Sequence, residues 1–250
     1  MDEISHRPRA ATGAEAHRGG SVIAAHVHDD DQIIYVSSGL LMVTTSTGVW
    51  SATPDRAVFI PAGMWHEHRV SGNSRVHTLG LTETTAPEHS GEVPLVFAAD
   101  GLLRSLLIEL TDGRIPAGLE DVAKELLAGL IAVAPAAGIC LPNPSDERLA
   151  KACAMVQADL GQNIPLSALA AAVHVSERSL SRLFRTEFGA TYPQWRSTVR
   201  VFHASVALLD GESATEVAAR YGWATPSAFI ATFTRLTGQT PAAYQRALDL

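Results

Sequence analysis

The chain of 250 residues has only two cysteines, Cys140 and Cys153. Neither their number nor their spacing gives a disulfide framework or a thiolate metal site, so a reducing compartment, most simply the cytoplasm, is expected. Long apolar runs are also missing. The best of them, Leu126 to Leu141, is broken by Pro135 and falls short of the roughly 20 residues that span a bilayer, so no membrane segment is expected. The opening stretch, MDEISHRPRAATGAEAHRGG, lacks the apolar core of a secretory signal, and residues 1–19 read as a flexible arm. An overall basic excess is absent too, the formal net charge being −7. That deficit is uneven: residues 1–145 carry 17 acidic and 9 basic side chains, whereas residues 146–250 carry 9 and 10. Nucleic acid is therefore a partner for the second part only.

A chain of this length exceeds a typical single domain, and its patterns divide it. From Ser21 to Thr82 short β-rich runs alternate with turn residues: QIIYVS before Ser38-Gly39, LLMVTT before Ser46-Thr47-Gly48, AVFI before Pro61-Ala62-Gly63, and RVHTLGL beyond Ser71-Gly72-Asn73. This rhythm predicts a small barrel or sandwich over residues 20–90. Residues 101–112 and 119–133 read as helices, the first with an apolar stripe of Leu102, Leu103, Leu106, Leu107 and Leu110. The proline-rich segment 135–145 reads as a linker.

Beyond the linker every strong pattern is helical, and it is repeated. LeuAlaAlaAla at 169–172 is echoed by ValAlaAlaArg at 217–220, and Phe184 to Thr191 by Phe233 to Thr240. In the first copy Ser167 is placed to cap a short helix and Ser176 a second one, with a tight turn at His174-Val175 between them. Leu180, Leu183, Phe184 and Phe188 then face inward, leaving Arg178, Ser181, Arg182 and Arg185 outside. Arginine suits base reading because its planar fork bonds guanine O6 and N7 together. The second copy opens on a capping box, Ser213 to Glu216, and its second helix on Thr225-Pro226. Its outward face carries Ser227, Ile230, Ala231, Thr234 and Arg235, which is poor in charge and suits phosphate anchoring through free helix N-terminal amides and apolar contacts to thymine methyls. Between the copies, Trp195, Val199, Phe202, Val206 and Leu209 mark a helix of about 24 Å, long enough to set two recognition helices in successive major grooves.

This constellation resembles the AraC/XylS family of bacterial regulators over about residues 146–246. The residues that carry it are Ser176, Arg178, Leu180, Arg182, Leu183, Phe184 and Phe188-Gly189, then Ala218, Tyr221-Gly222, Ser227, Phe229, Phe233, Gly238, Thr240-Pro241 and Tyr244. The resemblance implies that Arg178, Ser181 and Arg182 fall where bases are contacted, and that Ala231 stands where an arginine is frequent.

In the first part, His26 and His28 alternate on a strand and so share a face, followed by Gln32 and Gly39. Pro61-Ala62-Gly63 precedes His66, with His68 on the same face and His77 further on. These two runs resemble the motifs of the cupin β-barrel family, with Gln32 where a carboxylate is usual. The resemblance implies a metal set of His26, His28, Gln32 and His66, and neutral imidazoles suit zinc, iron, nickel or copper. The same histidines, with His68 and His77, equally suit hydrogen bonds to an organic effector or a polar interior. Trp50 and Trp65 read as barrel packing, Tyr35 as a strand residue, and Asp29-Asp30-Asp31 as a solvated loop.

The fold class expected is therefore a two-domain α+β chain: a cupin-like β-barrel followed by helices over 91–134 that serve dimerisation, then an all-α double helix-turn-helix domain over 146–250. The function expected is a transcription regulator that binds a double-stranded DNA operator, contacts RNA polymerase, forms a homodimer and senses a small molecule or a divalent transition metal. Barrels with this HxH and Gln arrangement occur, by the same resemblance, in regulators of neighbouring transport or efflux genes. Two other readings stay open. One is a cupin metalloenzyme with an appended DNA-binding domain, which bound redox-active iron and oxygen consumption would reveal. The other is a regulator whose barrel only dimerises, which DNA affinity indifferent to every metal and small molecule would reveal.

Overall fold

The computed structural model describes residues 4–82, 93–135 and 139–248, and the chain divides into two compact units, Met1–Cys140 with Arg246–Leu250, and Leu141–Gln245. Expectations for residues 83–92 and 136–138 lie outside the described residues.

The first unit is a curled sheet of eight strands: β1 (Ser5–Arg7), β2 (Gly13–His17), β3 (Val22–His28), β4 (Asp31–Thr45), β5 (Gly48–Ala52), β6 (Arg56–Ile60), β7 (His66–Leu81) and β8 (Leu95–Ala98). Its spine is the antiparallel pair of β4 and β7, in register from Asp31↔Leu81 to Thr45↔His66. Each spine strand has different neighbours at its two ends. β4 pairs with β6 at Gln32–Ile34 and with β5 at Leu41–Thr45, while β7 pairs with β3 near His66–Arg69 and with β2 at Ser74–Thr78. The curl comes from register shifts between Val36 and Leu40. Gly39 makes the bend possible: its φ is +78°, and a Cβ there would lie 2.0 Å from Ser74 Oγ.

Alternation along the strands then sorts side chains into two layers. Ile34, Val36, Leu41, Val43, Trp50, Val58, Val70 and Val76 fill the inside of the curl. Ile33, Tyr35, Phe59, Leu79, Leu81 and Phe97 point the other way and are covered by α1 (Gly101–Thr111) and α2 (Glu120–Val133) through Leu103, Leu107, Leu110, Leu127 and Ile131. At about 1.5–3 kcal/mol for each large apolar side chain fully buried, this second layer is a major part of the unit's stability. Tyr35 is wholly buried there and donates its hydroxyl to Pro54 O.

The arm expected over residues 1–19 is not free. β1 lies parallel along β3, and β2 lies antiparallel along β7. Their residues, SHR and GAEAH, bury no side chain fully, and the backbone ladder is what places them on the sheet. Asp29–Asp31 is likewise not simply solvated, since Asp31 accepts from Ala62 N at 2.8 Å and Asp29 meets His6 Nε2 at 3.0 Å.

The second unit opens on a two-residue strand, β9 (Leu141–Pro142), followed by α3 (Glu147–Ala158), α4 (Leu166–Ala172), α5 (Glu177–Phe188), α6 (Tyr192–Leu209), α7 (Ala214–Arg220), α8 (Pro226–Thr237) and α9 (Pro241–Leu248). Ser176 caps α5 by accepting from Ser179 N, Ser213 and Glu216 form the capping box of α7, and Thr225 caps α8 ahead of Pro226. Ser167 is not a cap. Pro165 holds the N-cap position of α4 at φ −71°, which puts Ser167 inside the helix. Both turns use positive φ at equivalent positions, His174 at 57° and Gly222 at 71°.

Candidate functional site: a histidine cluster and two helix faces

In the first unit β3 and β7 bring four histidines together. His26 and His66 are register partners with ring centroids 4.4 Å apart, His28 and His66 are 4.8 Å apart, and His68 stacks on His66 at 5.0 Å. All four are buried. Three of the rings are oriented by backbone: Nδ1 of His26 reaches Ala24 O at 2.9 Å, that of His28 reaches Asp30 O at 2.6 Å, and that of His66 reaches Met64 O at 2.9 Å. A carbonyl only accepts, so Nδ1 carries the proton in each ring and Nε2 is left with its lone pair. Burial holds the pKa of His26 below its ordinary value, takes that of His66 down to about 3, and pushes that of His68 well down, so these rings are neutral near pH 7.

The donor set fits a transition metal. The ligand atoms of His26, His28 and His66 all lie within 4.8 Å of one another, and buried Nε2 of His28 and of His66 have no hydrogen-bond partner. Neutral imidazoles with the far nitrogen fixed by a carbonyl are what such an ion requires. Gln32 is buried beside the same cavity with Oε1 unpaired, and both ring nitrogens of His68 are unpaired as well.

His77 stands apart from this cluster. It is odd-numbered on β7 where His66 and His68 are even, so it faces the helices. Its Nδ1 lies 2.7 Å from Thr111 Oγ1 and its Nε2 2.9 Å from Ser37 Oγ. The Thr111 hydroxyl donates to Leu107 O, so His77 donates from Nδ1 and accepts at Nε2. Arg7, Arg9, Glu15 and His17, which the sequence did not mark, line the cavity with His26, His28 and His68. Strand alternation in SHRPR was the only signal for the arginines.

In the second unit the outward face of α5 holds Arg178, Arg182 and Arg185, all exposed, with Ser181 half-buried and Ser176 exposed at the cap. None of the three arginines has an ion-pair partner among the described residues. Leu180 and Phe184 are completely buried beneath them. On α8, Thr225, Ser227, Ile230, Ala231 and Arg235 are exposed, while Phe229 and Phe233 are buried. Thr234, one turn beyond Ile230 and Ala231, is only half-buried, but its hydroxyl is enclosed without a hydrogen-bond partner among the described residues, so it is not free on the outward face as expected.

Two domain models match the chain, a cupin domain over residues 14–81 and a helix-turn-helix domain over residues 169–247. The chain is 26% identical over 222 residues to the HTH-type transcriptional regulator NimR of Escherichia coli (strain K12), an alignment that covers 88% of this chain and 81% of that one. This is a DNA-binding transcription regulator that joins a cupin domain to a helix-turn-helix domain. The regulator is also similar, 28% identical over 102 residues, to an uncharacterized HTH-type transcriptional regulator of Staphylococcus aureus (strain MSSA476), covering 40% of this chain and 14% of the relative. Among solved structures it matches ToxT of Vibrio cholerae O395 with a TM-score of 0.43 at 13% identity, over 96% of this chain and 98% of that one. It matches the C-terminal domain of AraT of Geobacillus stearothermophilus with a TM-score of 0.38 at 26% identity, over 40% of this chain and 85% of that one. Among the described residues no helix is long and apolar enough to cross a membrane.

Proposed function

We propose that the regulator reads its operator mainly through α5 and adjusts that reading to a ligand held at the histidine cluster. The observation that carries the reading is the α5 face, three exposed arginines without carboxylate partners among the described residues on a capped helix that buries Leu180 and Phe184 on its other side. Arg178, Ser181 and Arg182 are the base readers, and Arg185 and Ser176 neutralise or bond phosphates. The α8 face, with Ser227, Ile230, Ala231 and Arg235, fixes register more than sequence, its first turn offering free amides to a phosphate after Thr225. In the first unit His26, His28 and His66 would hold a divalent transition ion, with Gln32 beside it. When bound, such an ion ties β3 to β7 and satisfies imidazole lone pairs that have no partner. Sensing, rather than catalysis, is the role this reading gives the cavity. RNA polymerase and a second copy of the chain complete the set of partners, in the cytoplasm.

The test is direct. Operator sequences selected from random DNA are bound by protein purified without an affinity tag, at one salt concentration, before and after chelation and after reloading with Zn(II). The reading expects a stoichiometric metal lost in His26→Ala and His66→Ala, and an operator affinity that changes with metal state. Selection of no consensus sequence overturns the regulator's assigned reader. Absence of any metal after Zn(II) loading overturns the ion.

A further inference from the structure

The exposed N-terminal segment brings two arginines, Arg7 and Arg9, to the rim of the cavity, and no carboxylate among the described residues pairs with either. In the parallel pairing of β1 with β3, Ser5 lies opposite His26 and Arg7 opposite His28. Residues paired in this way point to one face of the sheet, so Arg7 shares the face of the histidines, while His6, paired with Val27, turns outward to Asp29. Arg9, two residues on, lines the same cavity. Neither arginine has a hydrogen-bonded or ion-paired carboxylate among the described residues. Arg7 is also among the charges that disfavour protonation of His26, His66 and His68, which places its guanidinium within electrostatic reach of all three.

The acids nearby do not answer that charge. Glu15 lines the cavity but its side chain is 80% exposed and turned to His17 Nε2, 3.6 Å away. Gln32 brings an amide, buried with Oε1 unpaired, and so adds a dipole without charge. The histidine nitrogens are neutral acceptors. Filling the site with a cation alone therefore raises the positive charge further, next to two guanidiniums.

We propose that the effector of this regulator is a small oxyanion, a carboxylate or phosphate, gripped by Arg7 and Arg9 opposite the histidine cluster. The proposal rests on the reading of this cavity as the effector site. A guanidinium fork matches two oxygens of one such group, and the remaining oxygen or the far end of the molecule faces His26, His28 and Gln32. The cavity, about 270 Å³, suits a compact anion and not a long chain.

Calorimetric titration of the full chain, apo and loaded with Zn(II), tests this with four probes: Zn(II) itself, succinate, inorganic phosphate and the neutral isostere succinamide. Succinate or phosphate is expected to bind about tenfold or more tighter than succinamide, since charge-assisted hydrogen bonds are lost in the amide. Succinate above phosphate assigns a carboxylate, and the reverse order a phosphate. Arg7→Gln with Arg9→Gln is expected to remove that preference while still taking up Zn(II) and melting as the parent does. Arg69→Gln, which alters an exposed arginine near Glu67 that does not line the cavity, should leave anion binding unchanged. Succinamide equal to succinate and phosphate, no anion binding at all, or anion binding unaltered in the double variant each overturns the proposal, whatever the Zn(II) result. Anion binding that leaves operator affinity unmoved supports the site and removes the effector reading instead.

Discussion

His66 and His77 share strand β7, yet their imidazoles meet different chemistry because a strand sends alternate side chains to opposite faces. His77 is 1% exposed, is hydrogen bonded at both nitrogens, and is held down to about 4 chiefly by burial, with Arg75 and Arg114 acting the same way against the opposing pull of Asp112. Its native pKa lies below the unfolded value of 6.5, so the unfolded chain takes up the proton first. The stability that neutral His77 contributes is complete above about pH 6.5 and is lost as pH falls toward 4, with a slope approaching about 1.4 kcal/mol per pH unit. Nitrogen-15 spectra should show the Nδ1–H tautomer unchanged between about pH 8 and 5, and a native midpoint near 6.5 would show this account to be wrong. At the other residue of interest, Arg182, the guanidinium is exposed and takes no part in the core. Arg182→Ala is expected to weaken specific operator binding by about 1–3 kcal/mol with an unchanged melting temperature. An unchanged ratio of specific to nonspecific affinity at fixed salt would remove it from the reader.

The turn between α7 and α8 leaves no space for a side chain at Gly222. A Cβ on Gly222 would lie 2.2 Å from Gly161 O and 2.9 Å from Arg200 Nη2, and its φ is +71°. Arg200 is buried with its guanidinium 4.3 Å above the Trp223 ring, and burial lowers its pKa to about 10, so it has no room to retreat. Gly222→Ala should therefore cost about 2–4 kcal/mol, the sum of left-handed strain and a backbone clash, read as a shifted urea midpoint. His174→Gly, at the matching turn, should stabilise slightly or leave stability unchanged, because His174 already holds a positive φ at 57°. A Gly222→Ala midpoint equal to the parent's would refute the close approach. The capping box at Ser213 and the Thr225-Pro226 start were legible in the sequence because caps are local chemistry. So was the shared face of His26 and His28. β1 and β2 were not, since SHR and GAEAH owe their place to backbone pairing with distant strands and carry no large apolar side chain. The bend at Gly39 was equally hidden: a glycine after serine marks a turn, whereas here the strand continues through it to Thr45. His77 was separable from the cluster by parity alone, and only its nearness in sequence joined it to His66 and His68.

At the scale of the whole molecule, the leucine stripe expected to serve dimerisation is divided. On α1, Leu103, Leu107 and Leu110 are spent on the core of the first unit. On α2 and the turn before it the apolar residues opposite the core, Leu119 at 55%, Val122 at 61%, Leu126 at 47% and Val133 at 80% exposed, repeat at spacings of three, four and seven. That is the period of a helix seam, and a single stripe of this kind is complementary to itself about a two-fold axis. In the proposed homodimer this stripe is the face for the second copy. Each chain carries two recognition helices, so pairing two chains converts the second operator contact into an intramolecular one and raises affinity without any new DNA contact. Val122→Glu with Leu126→Glu places charge in the seam without touching Leu127 or Ile131. Light scattering should then report a monomer, the melting of the first unit should stay within about 0.5 kcal/mol per substitution of the parent, and operator affinity should fall about 100-fold. A variant that still runs as a dimer would move the interface elsewhere, and a monomeric parent would leave each regulator to read its two grooves alone.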